Sequence, residues 1–263
     1  MISTLSEVLD TLNLEQANAE FFVGTQFDGP AHHILGGHIG AQALMAGART
    51  AGGRLPHSVH TYFLRPGDGR QPVDFEVKPL HDGRTFVARR ITGRQYGEVL
   101  LEATASFSAE VEDLEYQPQM PAAPDPETLS SAPLHGTWAS LEWFERRTVP
   151  TADGVRMWWR PNGNTPDDPI LASCLLAYLS AVTLVEPTLT PRWTPGEAPP
   201  VSAMRGHSVW FHRRPNLSDW LLYDQSSPSG VGGRALATGT MYNRTGELVC
   251  SATQEVYFPL KRG

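Results

Sequence analysis

A glutamine interrupts the apolar face of a predicted strand near the end of the chain. The stretch LVCSATQEV (248–256) alternates in polarity, and Gln254 lies on its apolar side. The residues that share this face are Leu248, Cys250, Ala252 and Val256. Burying an amide costs free energy unless its polar groups are paired, whereas an amide in a cleft can hold a reacting water molecule. The Gln254 amide is therefore either held by a structural hydrogen bond or part of a functional site.

Serine hydroxyls surround a proline in DQSSPSG (224–230). A hydroxyl can steady an attacking water, and Ser227 comes directly before Pro228. A solvated Ser/Gly turn is the commoner reason for such a run. A turn without a chemical role is one interpretation of Ser227, and a hydroxyl in a functional site is the other.

An acid–base pair and two glycines precede the first predicted helix. In FDGPAHHILGG (27–37), Asp28 and His33 combine a carboxylate with an imidazole, a pair able to activate water. A loop or capping role for Asp28 is the alternative. Gly36 and Gly37 follow at the start of the helix, whose first N–H groups can polarise a carbonyl group. Both glycines are predicted substrate-binding residues, with tight helix packing as the other interpretation.

One histidine completes the set of predicted binding residues. His57 lies in the predicted strand HSVHTYF, where a satisfied structural histidine is the alternative to a binding role. Cys174 and Cys250 lie in apolar stretches without metal-ligand spacing. We therefore predict no metal site and no cofactor. The net charge of −7 argues against a nucleic-acid partner.

Two predicted helices and several strands have to position these side chains. The helices cover GGHIGAQALMAGART (36–50) and ILASCLLAYLSAVTL (170–184). The second has no charged residue and no polar face, which predicts burial on all sides. It is short for a membrane span, is bounded by prolines and includes hydroxyl side chains, so we predict no span. Strands such as VLLEATASF (99–107) alternate, with an apolar face formed by Val99, Leu101, Ala103, Ala105 and Phe107.

The chain repeats itself weakly at an offset of 149–150 residues. HSVH (57–60) is echoed by HSVW (207–210), and GEVLLEATASF (97–107) by GELVCSATQEV (246–256). A nearly constant offset indicates duplication.

A segment of different composition separates the two copies. It contains six acids, five prolines and no Lys or Arg, which is typical of an exposed linker. We predict two units, 1–109 and 137–263, joined by a linker over 110–136.

Taken in order, these motifs resemble the acyl-CoA thioesterase II family. The first half carries the resemblance in FVGTQFDGPAHHILGGHIGAQAL (22–44), HSVHTYFLRPGD (57–68) and DGRTFVARRITGRQYGEVLLEATASF (82–107). The second half continues it in LLAYLSAVTLVEP, HSVWFHRRPNLSDWLLYDQ and ATGTMYNRTGELVCSATQE. The resemblance implies an α+β double hot-dog fold, in which two units of one chain, each a helix wrapped by an antiparallel sheet, pair as a homodimer of single units would.

The resemblance also implies a reaction and a site. The family hydrolyses fatty acyl-CoA to a free acid and CoA, and orients the attacking water with three residues: an Asp on the buried helix, a Thr or Ser, and a Gln on the last strand. Carried onto this sequence, the Asp position falls on Ala181 and the hydroxyl position on Pro228. The Gln is kept as Gln254. Two of the three family catalytic positions are therefore not matched.

Three functions stay open at this point. The first is acyl-CoA hydrolysis by a remodelled site with Gln254 and Ser227. The second is acyl-CoA binding with little hydrolysis. The third is an enoyl-thioester hydratase or lyase that uses Asp28 and His33, whose spacing partly resembles the Asp/His pair of hot-dog hydratases. Acyl-CoA is the predicted ligand, and family analogy adds a homo-oligomer. An N-terminal stretch without a basic start or an apolar run predicts a cytoplasmic location.

Overall fold

In the part of the chain that the structure describes, twelve strands form one antiparallel sheet, and two long helices pack against it. The computed structural model describes residues 4–27, 32–111, 114–132, 141–152, 154–194, 197 and 199–259. The helices are α1 (Leu5–Leu12), α2 (Gly36–Arg49), α3 (Pro169–Thr183) and α4 (Glu186–Leu189). The strands are β1 (Glu15–Gln16), β2 (Phe21–Gly24), β3 (Leu55–Phe63), β4 (Val73–Asp82), β5 (Phe86–Gln95), β6 (Glu98–Ser108), β7 (Phe144–Val149), β8 (Val155–Pro161), β9 (Ala203–Phe211), β10 (Leu221–Val231), β11 (Arg234–Asn243) and β12 (Leu248–Tyr257). Their order in the sheet is β1-β2-β4-β5-β6-β3-β9-β12-β11-β10-β8-β7.

The two halves of the repeat meet at the pairing of β3 with β9. Val59 and Val209, which are 150 residues apart, are register partners in this pair. Equivalent positions of the repeat therefore lie opposite each other, and a pseudo-twofold axis passes between the two valines. Each half contributes one long helix, and α2 packs against α3. The sequence repeat and the structural pseudo-symmetry coincide.

Helix α3 is buried on every side, as its sequence predicts. All residues from Ala172 to Thr183 are buried, because α2, β3 and β9 contact the helix. By length and hydropathy the segment Pro169–Leu189 is sufficient for a membrane span, yet 83% of its apolar window lies buried inside the fold. Burial of this extent is typical of a core helix.

A glycine allows α2 and α3 to approach closely. A Cβ atom on Gly37 would lie 2.6 Å from the Tyr178 carbonyl oxygen and 3.2 Å from the Ala181 Cβ. A side chain at this position would overlap the backbone of α3, so only glycine fits without a shift of the helices. The start of α2 is thereby held beside Ala181.

The apolar face of β6 differs by one residue from the predicted alternation. Leu100 is buried, whereas Val99 is only half-buried. A bulge opposite Gly93 shifts the pairing of β5 with β6 and makes Leu100 the extra residue. Beyond the bulge the buried residues are those predicted: Leu101, Ala103, Ala105 and Phe107.

The described part of the predicted linker is bound along the sheet. Residues 114–132 are mostly exposed, yet Gln117 exchanges hydrogen bonds with the backbone of Gly246 and Leu248, at 2.8 and 2.9 Å. Apolar linker side chains also cover a cluster on the face of the sheet opposite the main core, formed by Val149, Trp158, Trp220, Leu222, Tyr242 and Leu248. The linker is therefore part of the second unit's packing, which its polar composition does not reveal.

The glycine contact between the helices generates a stability prediction. We expect Gly37→Ala to lower the free energy of unfolding by about 1–3 kcal/mol, because the new methyl group meets backbone atoms of α3 that cannot turn away. Gly40→Ala is the matched control on α2, where a Cβ would only contact Phe63 at 3.7 Å. It should stabilise by about 0.5–1 kcal/mol through helix propensity. Urea unfolding measures both, and equal stability of the two variants would contradict the contact.

Candidate active site

A cavity of about 620 Å³ opens between the two halves of the chain. Its wall combines the start of α2, the end of β3 with the loop after it, the second half of α3, the start of β9, and β12. Most lining side chains are apolar: Ile34, Leu35, Ile39, Phe63, Leu64, Leu100, Val182, Val185, Val201, Met204 and Val256. The volume is that of a small-molecule site, and the wall suits a hydrocarbon chain.

The cavity brings together three residues predicted from the sequence. Gly36, Gly37 and Gln254 all line it, beside Ala181. These residues come from α2, β12 and α3, three elements that are distant in sequence. The helix contact at Gly37 and the seam between β3 and β9 place them around one space.

The N-terminus of α2 is bare toward this cavity. Its N-cap residue, Leu35, provides no side-chain cap, and the first N–H groups of a helix have no partner within it. Gly36 and Gly37 have no side chain to shield these groups. A Cβ atom on Gly36 would overlap the Met204 methyl group, which would have to move aside to admit a side chain there. The helix start can therefore bind an oxygen atom with partial negative charge.

The start of α3, which is equivalent to the start of α2 by pseudo-symmetry, is capped by a side chain. Asp168 accepts hydrogen bonds from the N–H groups of Ile170 and Leu171, at 2.8 and 3.2 Å, and Pro169 has no N–H to offer. A smaller pocket of about 340 Å³ adjoins this end. Of the two helix starts that the duplication provides, only that of α2 is free of a side-chain cap.

The predicted binding residue His57 lines the smaller pocket and not the larger cavity. Its Nε2 lies 2.8 Å from the Ser106 hydroxyl, and its ring contacts Phe86 edge-on. Burial lowers the pKa of His57. His57 is thus held by a hydrogen bond and a ring contact. These contacts fit a structural histidine, which was the alternative to the predicted binding role.

Gln254 is buried to 2% exposure on the predicted face of β12, and it lines the cavity. Its Oε1 atom is buried without a hydrogen-bond partner among the described residues. The described lining residues include no carboxylate, so Gln254 is the polar side chain that faces this apolar space from β12. A buried amide that lacks a partner is available for a bound water or ligand.

Two buried histidines flank the site. His38 lies 2.9 Å from the Thr11 hydroxyl and packs against Phe27 and Tyr178. The Nε2 atom of His207 lies 2.9 Å from the Ser180 hydroxyl. Burial lowers the pKa of His38 to about 3 and that of His207 to about 4. Both rings are therefore neutral at pH 7.

The predicted hydroxyl position is not in the cavity. Ser227 donates a hydrogen bond to the Leu236 carbonyl at 2.9 Å, and the pairing of β10 with β11 is bulged between Ser226 and Ser229. Neither Ser227 nor Pro228 lines the cavity; the bulge that holds them lies opposite Ala237, the register partner of Gln254. Met204 lies on the cavity wall instead. Sequence reasoning missed it, and at the 150-residue offset of this strand its counterpart is Arg54, directly before β3.

Cationic side chains lie at the wall of the cavity. Arg65 is 3.1 Å from Glu98, whereas Arg205 is exposed and has no ion pair among the described residues.

His33 also lines the cavity, and its backbone pairs with Asp68. Asp28, its predicted partner, lies outside the described residues. No group of three metal-binding side chains occurs in the part of the chain that the structure describes.

Comparison with solved structures defines the class of protein. The "tesB protein" of Mycobacterium avium subsp. paratuberculosis is 59% identical, with a TM-score of 0.88 over 98% of this chain and 100% of that chain. A protein "with Hot dog Fold" from Alicyclobacillus acidocaldarius, 21% identical, superposes with a TM-score of 0.80 over 96% of this chain and 98% of that one. The predicted α+β double hot-dog fold is confirmed.

Comparison of sequences identifies the family. Residues 26–108 match the family model for the acyl-CoA thioesterase N-terminal domain, and residues 142–257 match that for acyl-CoA thioesterase. "Acyl-CoA thioesterase 2" of Haemophilus influenzae is 31% identical over 97% of this chain and 98% of its own length. The chain belongs to the acyl-CoA thioesterase family, as the motifs of its sequence predict.

The buried histidines generate a prediction for the pH dependence of folding. The unfolded chain, with histidine pKa values near 6.5, binds more protons below that pH than the folded chain. The free energy of unfolding should therefore fall as the pH drops, by about 2 kcal/mol per histidine between pH 7 and pH 5. Chemical denaturation at the two pH values measures this. His38→Gln should reduce this fall in the free energy of unfolding by the contribution of one histidine. If the free energy of unfolding of the variant depends on pH as steeply as that of the wild type, His38 is not buried in its neutral form.

Proposed function

We propose that the protein hydrolyses acyl-CoA thioesters to a free acid and CoA in the 620 Å³ cavity. One observation carries the proposal: the bare start of α2 and the Gln254 amide face the same apolar space. The first supplies donors for a carbonyl oxygen and the second holds a water, which are the two functions that thioester hydrolysis needs. Membership of the acyl-CoA thioesterase family supports hydrolysis over the hydratase and binding alternatives.

The arrangement suggests how the substrate lies. The acyl chain occupies the apolar wall, and its carbonyl oxygen accepts hydrogen bonds from the N–H groups of Gly36 and Gly37. Water beside Gln254 adds to the carbonyl carbon, the C–S bond breaks, and the CoA sulfur leaves and takes up a proton. Arg65 and Arg205 are cations for the phosphate groups of CoA.

The site works without a carboxylate at the helix position. Ala181 replaces the acid that the family resemblance implies, and no described lining residue supplies another. Loss of general-base assistance typically costs about 10²–10⁴-fold in rate. Oriented donors and a confined water retain part of the catalysis, so we propose a slow thioesterase.

We also propose a cytoplasmic location for the protein. Cys174 and Cys250 are free and buried, which supports the reducing cytoplasm. We retain as proposals the units 1–109 and 137–263 and assembly into a homo-oligomer, which rests on family analogy.

The direct experiment measures release of CoA thiol from short, medium and long saturated acyl-CoAs, with binding followed on the same samples. Release above the uncatalysed rate, together with binding, supports the proposal. Tight binding without release would overturn it in favour of a binding protein, and hydration of enoyl-CoA would then be tested.

Removal of the Gln254 amide tests its contact with water. We expect Gln254→Ala to lower kcat by about 10²-fold with KM nearly unchanged, because the water loses its fixed position while the acyl chain and CoA keep their contacts. Ser227→Ala is the control, since its hydroxyl bonds to Leu236 outside the cavity. Equal rates for the two variants would remove Gln254 from the mechanism.

Restoration of the missing carboxylate tests the cause of slow turnover. We expect Ala181→Asp to raise kcat by about 10²-fold or more, because a general base then lies beside the start of α2. Ala181→Asn has nearly the same size without the base and should not raise kcat. A rise in both variants, or in neither, would show that the helix position does not limit the rate.

A further inference from the structure

Three buried polar side chains form a row, or file, that leads from α3 to the cavity: Ser180, His207 and Gln254. The Ser180 hydroxyl, on α3, is 2.9 Å from the Nε2 atom of His207, on β9. His207 and Gln254 are register partners in the pairing of β9 with β12. Side chains of such partners lie on the same face of a sheet, about 5 Å apart at Cβ. All three are buried, with exposures of 0%, 5% and 2%. The file therefore runs from the core helix to the cavity.

Two atoms in this file lack partners as the structure stands. They are Nδ1 of His207 and Oε1 of Gln254, both buried. A neutral imidazole has one N–H donor and one lone-pair nitrogen, and an amide has an oxygen end and an NH₂ end of nearly the same shape. Hydrogen bonding therefore decides which end of Gln254 lies toward the ring.

The direction of the hydrogen bonds follows from a backbone carbonyl. The Ser180 hydroxyl lies 3.0 Å from the Ala177 carbonyl oxygen, which can only accept, so the hydroxyl donates to it. Its oxygen then accepts the proton on Nε2 of His207. The Thr253 backbone and the Gln254 side chain both interact with His207. With Nδ1 left as a lone pair, the NH₂ end of Gln254 is the side-chain donor available to it. With its NH₂ end turned to Nδ1, the amide directs its carbonyl oxygen to the cavity, which is the reverse of the placement in which Oε1 is the buried atom.

We propose that Ser180 and His207 are positioning residues that hold the Gln254 carbonyl oxygen toward the cavity, where it accepts a hydrogen bond from the attacking water. Neither residue touches the substrate. The orientation matters because a water nucleophile needs a free lone pair for the thioester carbon and an acceptor for its hydrogen. An NH₂ group in the same place would occupy that lone pair. The inference rests on the proposed function and adds the groups that orient its glutamine.

A pair of hydroxyl deletions on α3 tests the effect on turnover. Ser180→Ala removes the acceptor of the His207 proton, and we expect kcat to fall about 10- to 100-fold with KM nearly unchanged. Thr183→Val is the matched control, because Thr183 is equally buried and donates to the Leu179 carbonyl at 3.0 Å, without a histidine partner. It should retain kcat and KM. Unchanged kcat in Ser180→Ala, or an equal loss in both variants, would overturn the positioning role.

A second measurement needs no turnover. The ¹⁵N resonances of labelled histidine in the intact protein distinguish protonated from unprotonated ring nitrogens. We expect His207 to carry its proton on Nε2 in the wild type and to lose this preference in Ser180→Ala. A proton on Nδ1 in the wild type would overturn the inference, because Gln254 would then turn its NH₂ end to the cavity. A wild type that releases no CoA would overturn the proposed function alone, and this spectrum would still decide the orientation of Gln254.

Discussion

The pairing of β3 with β9 is the interaction on which the rest of the structure depends. It joins two units into one sheet and sets Val59 opposite Val209. The helices α2 and α3 consequently lie side by side, and the glycine at position 37 lets them touch. Without this seam each unit would expose a strand edge and an apolar helix, both of which need cover. The cavity lies where the start of α2, the end of α3 and β12 converge beside the seam.

Duplication provides two equivalent places for a site, and the two have diverged in charge. A helix start has a partial positive charge that attracts an oxygen atom. At α3 that charge is satisfied by the carboxylate of Asp168, and Ala105 occupies the position equivalent to Gln254. At α2 the helix start remains uncapped beside Gln254. A single chain can diverge in this way, whereas a homodimer must keep both sites identical.

In the mechanism that we propose, the chemistry of the site depends on oriented neutral groups more than on charge. Burial keeps His207 neutral at pH 7, and the described wall of the cavity has no carboxylate. Helix N–H groups and an amide provide directed hydrogen bonds beside a mostly apolar wall, where such bonds are stronger than in water. The arrangement stabilises charge on an oxygen atom better than it removes a proton from water, which explains why slow turnover is the expected behaviour.

The sequence by itself determined the features that are written in local patterns. An apolar helix without a polar face predicted burial on all sides, and one polar residue on an alternating strand predicted the position of Gln254 in the site. The offset of the repeat predicted two similar units. Only the tertiary structure decided that His57 lies in the other pocket, that Ser227 lies outside the cavity while Met204 lines it, and that Ser180, His207 and Gln254 form one file. These outcomes depend on strand register, a bulge and helix approach between residues far apart in the chain, and no local pattern of polarity carries that information.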